Sequence, residues 1–238
     1  MNRLCTVCAR GGSKGVQNKN LRSLAGQPLI AHSVRQAKES GLFTQVAVSS
    51  DSAYILEAAD NAGADILVER PAVLASDFAD KSPAVVHCGL ESERRTGLRF
   101  KTFVDLDATA PLRRPEDILG VIQLLESPGV TNVYTVCKSR RSPYYNMVEL
   151  DVHNIPRLVK KVSPPALRRQ DTPLTYDMNA SIYAWDRSTF MTQGAPVHAE
   201  GTRIYVMPDD TIYDIDTETD LEIVSMLFGR IGQWANNE

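Results

Sequence analysis

The feature that most constrains the fold is a regular alternation of short apolar runs with longer segments of helical periodicity. Apolar residues spaced three and four apart indicate amphipathic helices, and the short apolar runs between them indicate buried strands. The predicted strands are Leu4–Ala9, Gln45–Ser49, Asp65–Val68, Phe103–Leu106, Asn132–Val136, Ser181–Trp185 and Ile204–Met207. The predicted helices are Pro28–Ser40, Ser52–Asn61, Pro83–Glu93 with Ser82 as its cap, Pro115–Leu125 and one that starts near Thr217. This order predicts an α/β fold, in which a mostly parallel sheet carries helices on both faces.

The alternation is interrupted between about residues 138 and 175. Prolines break this stretch into short strand-like pieces such as Tyr144–Leu150 and Arg157–Lys161. Because proline donates no backbone hydrogen bond, such a segment is more typical of an inserted arm than of another strand–helix unit. The length of 238 residues suits one large domain. We therefore expect a single domain over residues 1–238, with residues 138–175 as an insertion.

Charge is distributed unevenly along the chain. The net charge of −3 and the pI of about 5.9 argue against a general nucleic-acid binder. Residues 1–38 nevertheless carry only basic charges, and residues 209–222 carry only acidic ones. The first region is suited to holding anions and the second to holding cations.

Several features bear on the compartment. No apolar stretch approaches the roughly 20 residues that a membrane-spanning helix needs, and the N-terminus lacks the pattern of a signal peptide. The four cysteines fit a reducing compartment. Cys5 and Cys8 form a C-x-x-C within a strand-like run, where side chains three apart face opposite sides, so buried thiols are favoured over a metal or redox site. We expect a cytoplasmic protein that engages neither membrane nor nucleic acid.

The loop after the first predicted strand combines glycines with positive charge. Consecutive backbone amides in a glycine-rich turn form a concavity that binds anions. Arg10, Lys14 and Lys19 add full charges among Gly11, Gly12 and Gly15, and a guanidinium can grip a phosphate with two hydrogen bonds. In a parallel sheet this loop lies at the carboxyl ends of the strands, where ligands bind. A triphosphate site is favoured over the alternative of a solvated basic loop.

The same loop also matches the G-x-S-x-G pattern of a serine hydrolase, with Ser13 as nucleophile and His153 or His198 as its base. A nucleophile elbow turns directly into a helix, whereas Val16–Gly26 intervenes here. An elbow after the first strand also leaves too few strands before it. The hydrolase hypothesis is therefore disfavoured, and neither G-x-x-x-x-G-K-[ST] nor G-x-G-x-x-G occurs.

Asp214 and Asp216 form the acidic counterpart of this loop. On an extended chain, side chains two apart project to the same side. Paired carboxylates suit Mg²⁺, which completes its coordination with phosphate oxygens and water. The alternative is helix capping, for which Asp216 is well placed but Asp214 comes too early. Cations around phosphates together with a carboxylate-held Mg²⁺ describe phosphoryl or nucleotidyl transfer.

Six pieces of sequence, in one order along the chain, match a known family. They are Ala9-Arg10-Gly11-Gly12-Ser13-Lys14-Gly15 with Lys19-Asn20, Arg70-Pro71-Ala72 with Leu74-Ala75 and Asp77, Ala108-Thr109-Ala110-Pro111-Leu112-Arg113, Arg169-Gln170, Asn179-Ala180-Ser181-Ile182-Tyr183, and Asp214-Ile215-Asp216-Thr217-Glu218 with Asp220-Leu221. In these pieces the chain resembles the CMP-sialic acid synthetases, the acylneuraminate cytidylyltransferase family, from about Leu4 to Leu227. The resemblance implies a Rossmann-like sheet of the nucleotide-diphospho-sugar transferase type.

The resemblance also implies a reaction and a set of site residues. The family transfers CMP from CTP to the 2-hydroxyl of a nonulosonic 2-keto sugar acid, uses Mg²⁺ and releases pyrophosphate. By position, the triphosphate would be held by Arg10, Ser13, Lys14 and Lys19, and the nucleotide by Arg70. The metal would be held by Asp214 and Asp216, and Asn20 would lie near the reacting phosphate. Asn179 and Tyr183 would face the sugar, and Arg169 would face a negative group. The catalytic set would be Arg10, Lys19, Asn20, Asp214 and Asp216. Members of the family are dimers that exchange the segment corresponding to residues 138–175, which implies a homodimer and a dimerisation arm.

Two positions depart from the sialic acid enzymes. Asp107 stands where many of them have Gln, and Asp177 lies where they often have an Arg before Pro-Asn-Gly. Both positions border the sugar, so a carboxylate there would repel the substrate's own carboxylate or bond a hydroxyl, an amide or a metal. The residues around Asp107 and Asp177 resemble the sequences of the branch that activates bacterial relatives of sialic acid, such as legionaminic acid.

Two other functions are compatible with these residues. One is a cytidylyltransferase for an eight-carbon 3-deoxy-octulosonate-type acid, which would use the same phosphate loop. The other is a non-catalytic module that binds a nucleotide and has no need of the Asp214 and Asp216 pair. None of His32, His87, His153 and His198 shows ligand spacing or stands out as a general base.

Overall fold

The computed structural model of the protein describes residues 1–13, 15–76, 80–164 and 166–234, with side chains described up to residue 229. Lys14 and Asp77 of the sequence motifs lie outside the described residues. The strands are β1 (Arg3–Cys8), β2 (Ser23–Leu24), β3 (Gln27–Pro28), β4 (Gln45–Ser50), β5 (Ile66–Glu69), β6 (Thr102–Leu106), β7 (Asn132–Lys138), β8 (Val148–Leu150), β9 (Pro156–Leu158), β10 (Tyr176–Asp186) and β11 (Thr202–Val206). The helices are α1 (Leu29–Glu39), α2 (Ala53–Asn61), α3 (Lys81–Thr96), α4 (Pro115–Leu125), α5 (Arg187–Gln193) and α6 (Glu218–Trp234).

Seven strands form one sheet in the order β11-β7-β10-β6-β1-β4-β5. Neighbouring strands are parallel except at β10, which runs antiparallel to both β6 and β7. The register places Cys5 of β1 beside Val46 of β4 and Val104 of β6. Since β1 and β6 are parallel neighbours, the loops that follow them leave the same edge of the sheet. The prediction of a mostly parallel sheet flanked by helices is confirmed.

Each face of the sheet is covered by its own helices, because successive side chains of a strand point to opposite sides. On one face, α1, α2 and α4 bury Val34, Ile55 and Ile118 against the sheet. On the other, Cys88 of α3 and Phe190 of α5 pack against the sheet, and the Phe190 ring stacks on Phe103 with centroids 3.8 Å apart. All four cysteines are free and buried, which confirms the prediction that they are buried thiols.

The start of α3 differs from the prediction. The sequence pattern placed Ser82 as the cap before Pro83, but the helix begins at Lys81 and Asp80 is its cap. The Asp80 side chain accepts a hydrogen bond from the backbone N–H of Ser82. Pro83 is tolerated in the first turn, because the backbone N–H that it lacks would have no partner there. Because α3 starts earlier than predicted, Lys81 is its first residue.

The segment between β7 and β10 holds the small antiparallel hairpin of β8 and β9. It exposes many large apolar side chains, among them Val148, Leu150, Val152, Ile155, Leu158 and Leu167. Surfaces that expose contiguous apolar groups in this way are typical of interaction sites. Within the described residues, no helix has the length and apolar character needed to cross a membrane.

Candidate active site

The basic loop after β1 and the acidic segment before α6 meet in space. The Lys19 ammonium donates to the Asp216 carboxylate, with 3.0 Å between Nζ and Oδ1. The Arg22 guanidinium pairs with both carboxylate oxygens of Glu218, at 2.7 and 3.0 Å. Residues nearly 200 positions apart in the chain therefore form one wall at the carboxyl end of the sheet.

An apolar cluster behind this wall holds the two segments together. Ile215 is fully buried between Asp214 and Asp216, because alternate side chains of an extended chain face opposite sides. It packs in one cluster with Val16 and Leu24 of the loop and with residues of α6. Burial of each such side chain contributes about 1.5–3 kcal/mol. The convergence therefore depends on packing as well as on ion pairs.

Gly15 lies at the point of closest approach. A Cβ built on Gly15 would lie 2.1 Å from the backbone oxygen of Asp216, so no other residue fits without movement of the backbone. Gly15 is therefore required because the loop packs closely against the acidic segment. The sequence had suggested a different role, in which the glycine lets the backbone approach a ligand.

The two segments border a cleft of about 370 Å³ at the edge of the sheet. Seven of the residues predicted for the site line it, namely Arg10, Ser13, Lys19, Asn20, Arg70, Asp107 and Asp216. Lys81 and Thr109 line it as well. The cleft thus brings together cations and carboxylates from both ends of the chain.

Two of the predicted nucleotide-side residues are held by backbone groups. The Asn20 side-chain amide donates to the backbone oxygen of Arg10 at 3.0 Å, while its own Oδ1 is buried and has no partner among the described residues. Arg70 is buried, and its guanidinium donates to the backbone oxygen of Ser49 at 2.9 Å and to the Ser49 hydroxyl at 3.3 Å. Both side chains are fixed before a ligand arrives.

The acidic segment that borders the cleft favours a cation. Burial raises the pKa of Asp214, and the carboxylates of Asp107 and Asp216 raise it further. Asp214 Oδ1 is buried without a partner among the described residues. A divalent cation would relieve both the repulsion and the missing partner, so Asp214 and Asp216 fit a metal such as Mg²⁺. Across the described part of the chain, no group of three or more His, Cys, Asp or Glu side chains is arranged to hold a metal by itself. Phosphate and water oxygens would therefore have to complete the coordination.

Sequence analysis missed Lys81, which lines the cleft. Its ammonium lies 2.7 Å from Asp105 Oδ2 and 2.6 Å from Asp107 Oδ2. Burial on its own raises the pKa of Asp107, but the Lys81 charge and the hydrogen bonds from Thr109 lower it to about 2. The misplaced start of α3 hid this residue, since Lys81 stands outside the predicted helix and outside every motif.

A buried arginine supports the floor of the cleft beneath Asp107. The Arg113 guanidinium donates to the backbone oxygens of Asp107 and Ala110 and to the Ser33 hydroxyl. The Ser33 hydroxyl donates in turn to the Asp107 backbone oxygen at 2.9 Å. Arg113 and Ser33 together fix the turn that carries Asp107.

Of the predicted residues that the structure describes, four are not among those that line this cleft, namely Asp214, Asn179, Tyr183 and Arg169. Asn179 is buried, where its Oδ1 accepts from the Thr135 hydroxyl at 2.7 Å and its amide points to Thr211 and Met207. Tyr183 is half-buried on β10, with its ring centroid 6.0 Å from the Lys81 ammonium. Arg169 lies in a second cleft at the base of the 138–175 segment and donates to the backbone oxygen of Ser139.

Comparison with known proteins identifies relatives along the whole chain. A family model described as cytidylyltransferase matches residues 4–233. Post-translational flagellin modification protein B of Campylobacter coli is 41% identical over 224 residues, 94% of each chain. A CMP-N,N'-diacetyllegionaminic acid synthase of Campylobacter jejuni is 40% identical over the same length and share. The structure of a CMP:2-keto-3-deoxy-manno-octonic acid synthetase complexed with CTP covers 97% of this chain and 99% of its own, with a TM-score of 0.69 at 16% identity.

Proposed function

The chain belongs to the cytidylyltransferase family, and on this premise we propose that it transfers CMP from CTP to the 2-hydroxyl of a nonulosonic, sialic-acid-like 2-keto sugar acid and releases pyrophosphate. The observation that carries the proposal is the contact between Lys19 and Asp216 across one cleft. A triphosphate needs cations around its oxygens and a carboxylate-held metal on its other side. The cleft supplies both from residues at opposite ends of the chain.

The reaction proceeds by in-line displacement at phosphorus. The 2-hydroxyl oxygen of the sugar bonds to the α-phosphorus and gives up its proton, while the bond to the bridging oxygen of pyrophosphate breaks. Arg10 and Lys19 stabilise the negative charge that passes to pyrophosphate, and Asn20 lies beside Arg10 at the floor of the cleft. Asp214 and Asp216 would hold Mg²⁺. The chemistry that the metal supplies is neutralisation of phosphate charge and a lower pKa for the attacking hydroxyl.

We propose a legionaminic-type acid as the sugar. The support is the 40% identity to a CMP-N,N'-diacetyllegionaminic acid synthase over 94% of both chains. The structural likeness to the octonic acid synthetase, at 16% identity, supports only the fold. The eight-carbon acid therefore remains the second candidate.

The active form is proposed to be a homodimer in the cytoplasm. The 138–175 arm exposes a group of apolar side chains that a second copy would bury, including Val148, Leu150 and Val152. The cleft that contains Arg169, Lys138 and Arg140 at the base of this arm could then face the partner's sugar site. Four free, buried cysteines agree with a reducing compartment.

The test is pyrophosphate release from CTP with Mg²⁺ and a panel of acids, namely diacetyllegionaminic, pseudaminic, N-acetylneuraminic and 3-deoxy-octulosonic acid. We expect the highest kcat/KM with the legionaminic acid and no release when the acid is omitted. Asp214→Asn should lower kcat by at least about 100-fold, whereas the exposed Asp60→Asn on α2 should not change it.

The panel separates the alternatives. Preference for the octulosonic acid would replace the proposed sugar by the eight-carbon candidate. The protein would be a nucleotide-binding module if wild type and Asp214→Asn bound CTP equally well and the folded wild type released no pyrophosphate with any acid.

A further inference from the structure

Lys81 is a cation in the cleft whose role no sequence motif explains. It is the first residue of α3, and its side chain retains 36% of its exposure while Asp105 beneath it retains 1%. Its ammonium contacts Asp105 and Asp107 at 2.7 and 2.6 Å. Lys81 lines the same cleft as Arg10 and Lys19. It therefore lies where a ligand would meet it.

The contacts of this group determine how many N–H donors of Lys81 remain for a ligand. Asp107 Oδ1 already accepts from the N–H and the hydroxyl of Thr109, at 3.0 and 2.9 Å, and Asp105 Oδ1 accepts from the Thr6 hydroxyl at 2.8 Å. The remaining carboxylate oxygens face Lys81. Of the three N–H donors of the ammonium, one donates to Asp107 Oδ2 at 2.6 Å, and a second direction is taken by the ion pair with Asp105 Oδ2 at 2.7 Å. Among the described residues the third has no acceptor in the protein, and the exposure of Lys81 opens it to a ligand.

Charge balance makes an anion acceptable at this position. Burial on its own lowers the pKa of Lys81, but the carboxylates of Asp105 and Asp107 raise it well above its ordinary value, so the ammonium stays charged. Arg113, buried below Asp107, supplies a second positive charge. Two carboxylates are thus offset by two cations, and the repulsion that Asp107 alone would exert on an anionic substrate is removed.

We propose that Lys81 is a further substrate-binding residue whose third N–H donates to an anionic oxygen of a substrate, and that Asp105 and Asp107 are positioning residues that hold its ammonium toward the cleft. The inference rests on the proposed function. The carboxylate of the sugar acid and a phosphate of CTP share this chemistry. Asp107 then acts through Lys81 and does not itself bond the sugar.

Binding and steady-state kinetics of matched variants test the inference. Calorimetric titrations with CTP and, separately, with diacetyllegionaminic acid give Kd values, and pyrophosphate release gives KM and kcat. Loss of a charge-assisted hydrogen bond in Lys81→Gln should weaken the affinity for one substrate by roughly 10- to 100-fold and leave the other unchanged. Weaker binding of the acid identifies its carboxylate as the acceptor, and weaker binding of CTP identifies a phosphate. Lys81→Arg should retain most of the affinity.

Two further variants separate positioning from a merely structural role. Asp107→Asn should weaken the affinity for the same substrate as Lys81→Gln, and the double variant Lys81→Gln/Asp107→Asn should be no weaker than Lys81→Gln alone, because both changes remove one interaction. The control is Lys38→Met, which removes an ammonium paired with Asp65 at 2.6 Å outside the cleft. It should change neither affinity.

Each result decides for or against the inference. A folded Lys81→Gln with unchanged affinity for both substrates would overturn it, as would losses that simply add in the double variant. If Lys81→Gln does not fold, the double variant, which keeps the local charge balance, takes its place in the same titrations. A wild-type protein that binds a substrate but releases no pyrophosphate contradicts the proposed function alone, because the Kd comparison still tests Lys81. A wild-type protein that binds neither overturns both.

Discussion

Because Gly15 has no side chain, the loop after β1 can pack directly against the backbone of Asp216. The Gly15 α-carbon lies against the backbone of Asp216, where an added Cβ would come within 2.1 Å of the carbonyl oxygen and 3.3 Å of the carbonyl carbon. Neither atom can rotate away as a flexible side chain would. The distance between the phosphate loop and the acidic segment is therefore set by the absence of a side chain at Gly15.

Gly15→Ala is expected to separate the two segments while the protein stays folded. The displaced backbone would disturb the Lys19 and Asp216 pair, so kcat/KM for CTP should fall roughly 10- to 100-fold, in line with small misplacements of catalytic groups. Gly12→Ala is the control within the same loop, since among the described residues, its chain neighbours apart, no atom lies within 4 Å of its added Cβ. It should lose less activity than Gly15→Ala. Equal losses in the two variants, measured with CTP as the varied substrate, would contradict this explanation.

Helix α3 has a different task at each end. Its first residue, Lys81, reaches the cleft, and Glu93 near its last turn anchors it to the junction of β10 and α5. Glu93 accepts hydrogen bonds from the Arg187 guanidinium and, at 2.8 Å, from the backbone N–H of Phe100. Arg187 also donates to the Phe100 backbone oxygen at 2.8 Å. The anchor therefore helps fix the position of Lys81 at the other end of the helix.

The Glu93 anchor predicts a pH-dependent stability. Burial on its own would raise the pKa of Glu93, but Arg187 and the Phe100 N–H lower it below its ordinary value of 4.5. The ionised Glu93 side chain therefore adds its full contribution to the free energy of unfolding above pH 4.5. This contribution is lost as the pH falls through the pKa of the folded state. Glu93→Gln should destabilise the protein by about 1–2 kcal/mol at pH 7 and by much less at pH 3.

Urea unfolding of wild type and Glu93→Gln at both pH values measures this difference. The exposed Glu222→Gln on α6 serves as the control and should match wild type at both. If Glu93→Gln lowered the free energy of unfolding by as much at pH 3 as at pH 7, Glu93 would contribute packing and not charge.

At the scale of the whole molecule, the 138–175 arm exposes large apolar side chains that the fold of a single copy leaves uncovered. In the 138–175 arm, Leu150 is 63% exposed and Val152 is 92% exposed. Apolar side chains on both strands of a two-stranded hairpin gain little from each other, because such a hairpin has no core of its own. Burial against a second copy would stabilise both the hairpin and the assembly.

Leu150→Asp is accordingly expected to shift the protein from dimer to monomer at micromolar concentration. A carboxylate buried in an apolar interface loses its hydration without a partner, which weakens association. Sedimentation velocity measures the mass of each species. Tyr54→Asp, on the exposed face of α2 outside the arm, should remain dimeric. A wild-type protein that sediments as a monomer throughout would remove the homodimer from the proposal.

Much of the local structure was predictable because its causes are local. The helix Pro115–Leu125 was predicted with its observed bounds, since proline starts it and its apolar spacing persists to its end. The strand–helix alternation predicted the parallel part of the sheet. Lys81 was missed because Asp80, one of several polar residues in a row, competes with Ser82 as a helix cap. The antiparallel course of β10 was not predictable from its own residues, since strand direction depends on neighbours far away in the chain.

The sequence by itself determined the cytidylyltransferase family, the alternation of the main strands and helices, and the presence of a basic loop and an Asp-x-Asp pair. Periodicity, turn residues and charge act over a few residues, so they can be read without coordinates. Only the tertiary structure decided which groups meet: Lys19 with Asp216, Lys81 with Asp105 and Asp107, and Asn179 with the interior. Such contacts join residues from about 25 to 200 positions apart, and they follow from strand order and burial of the whole core.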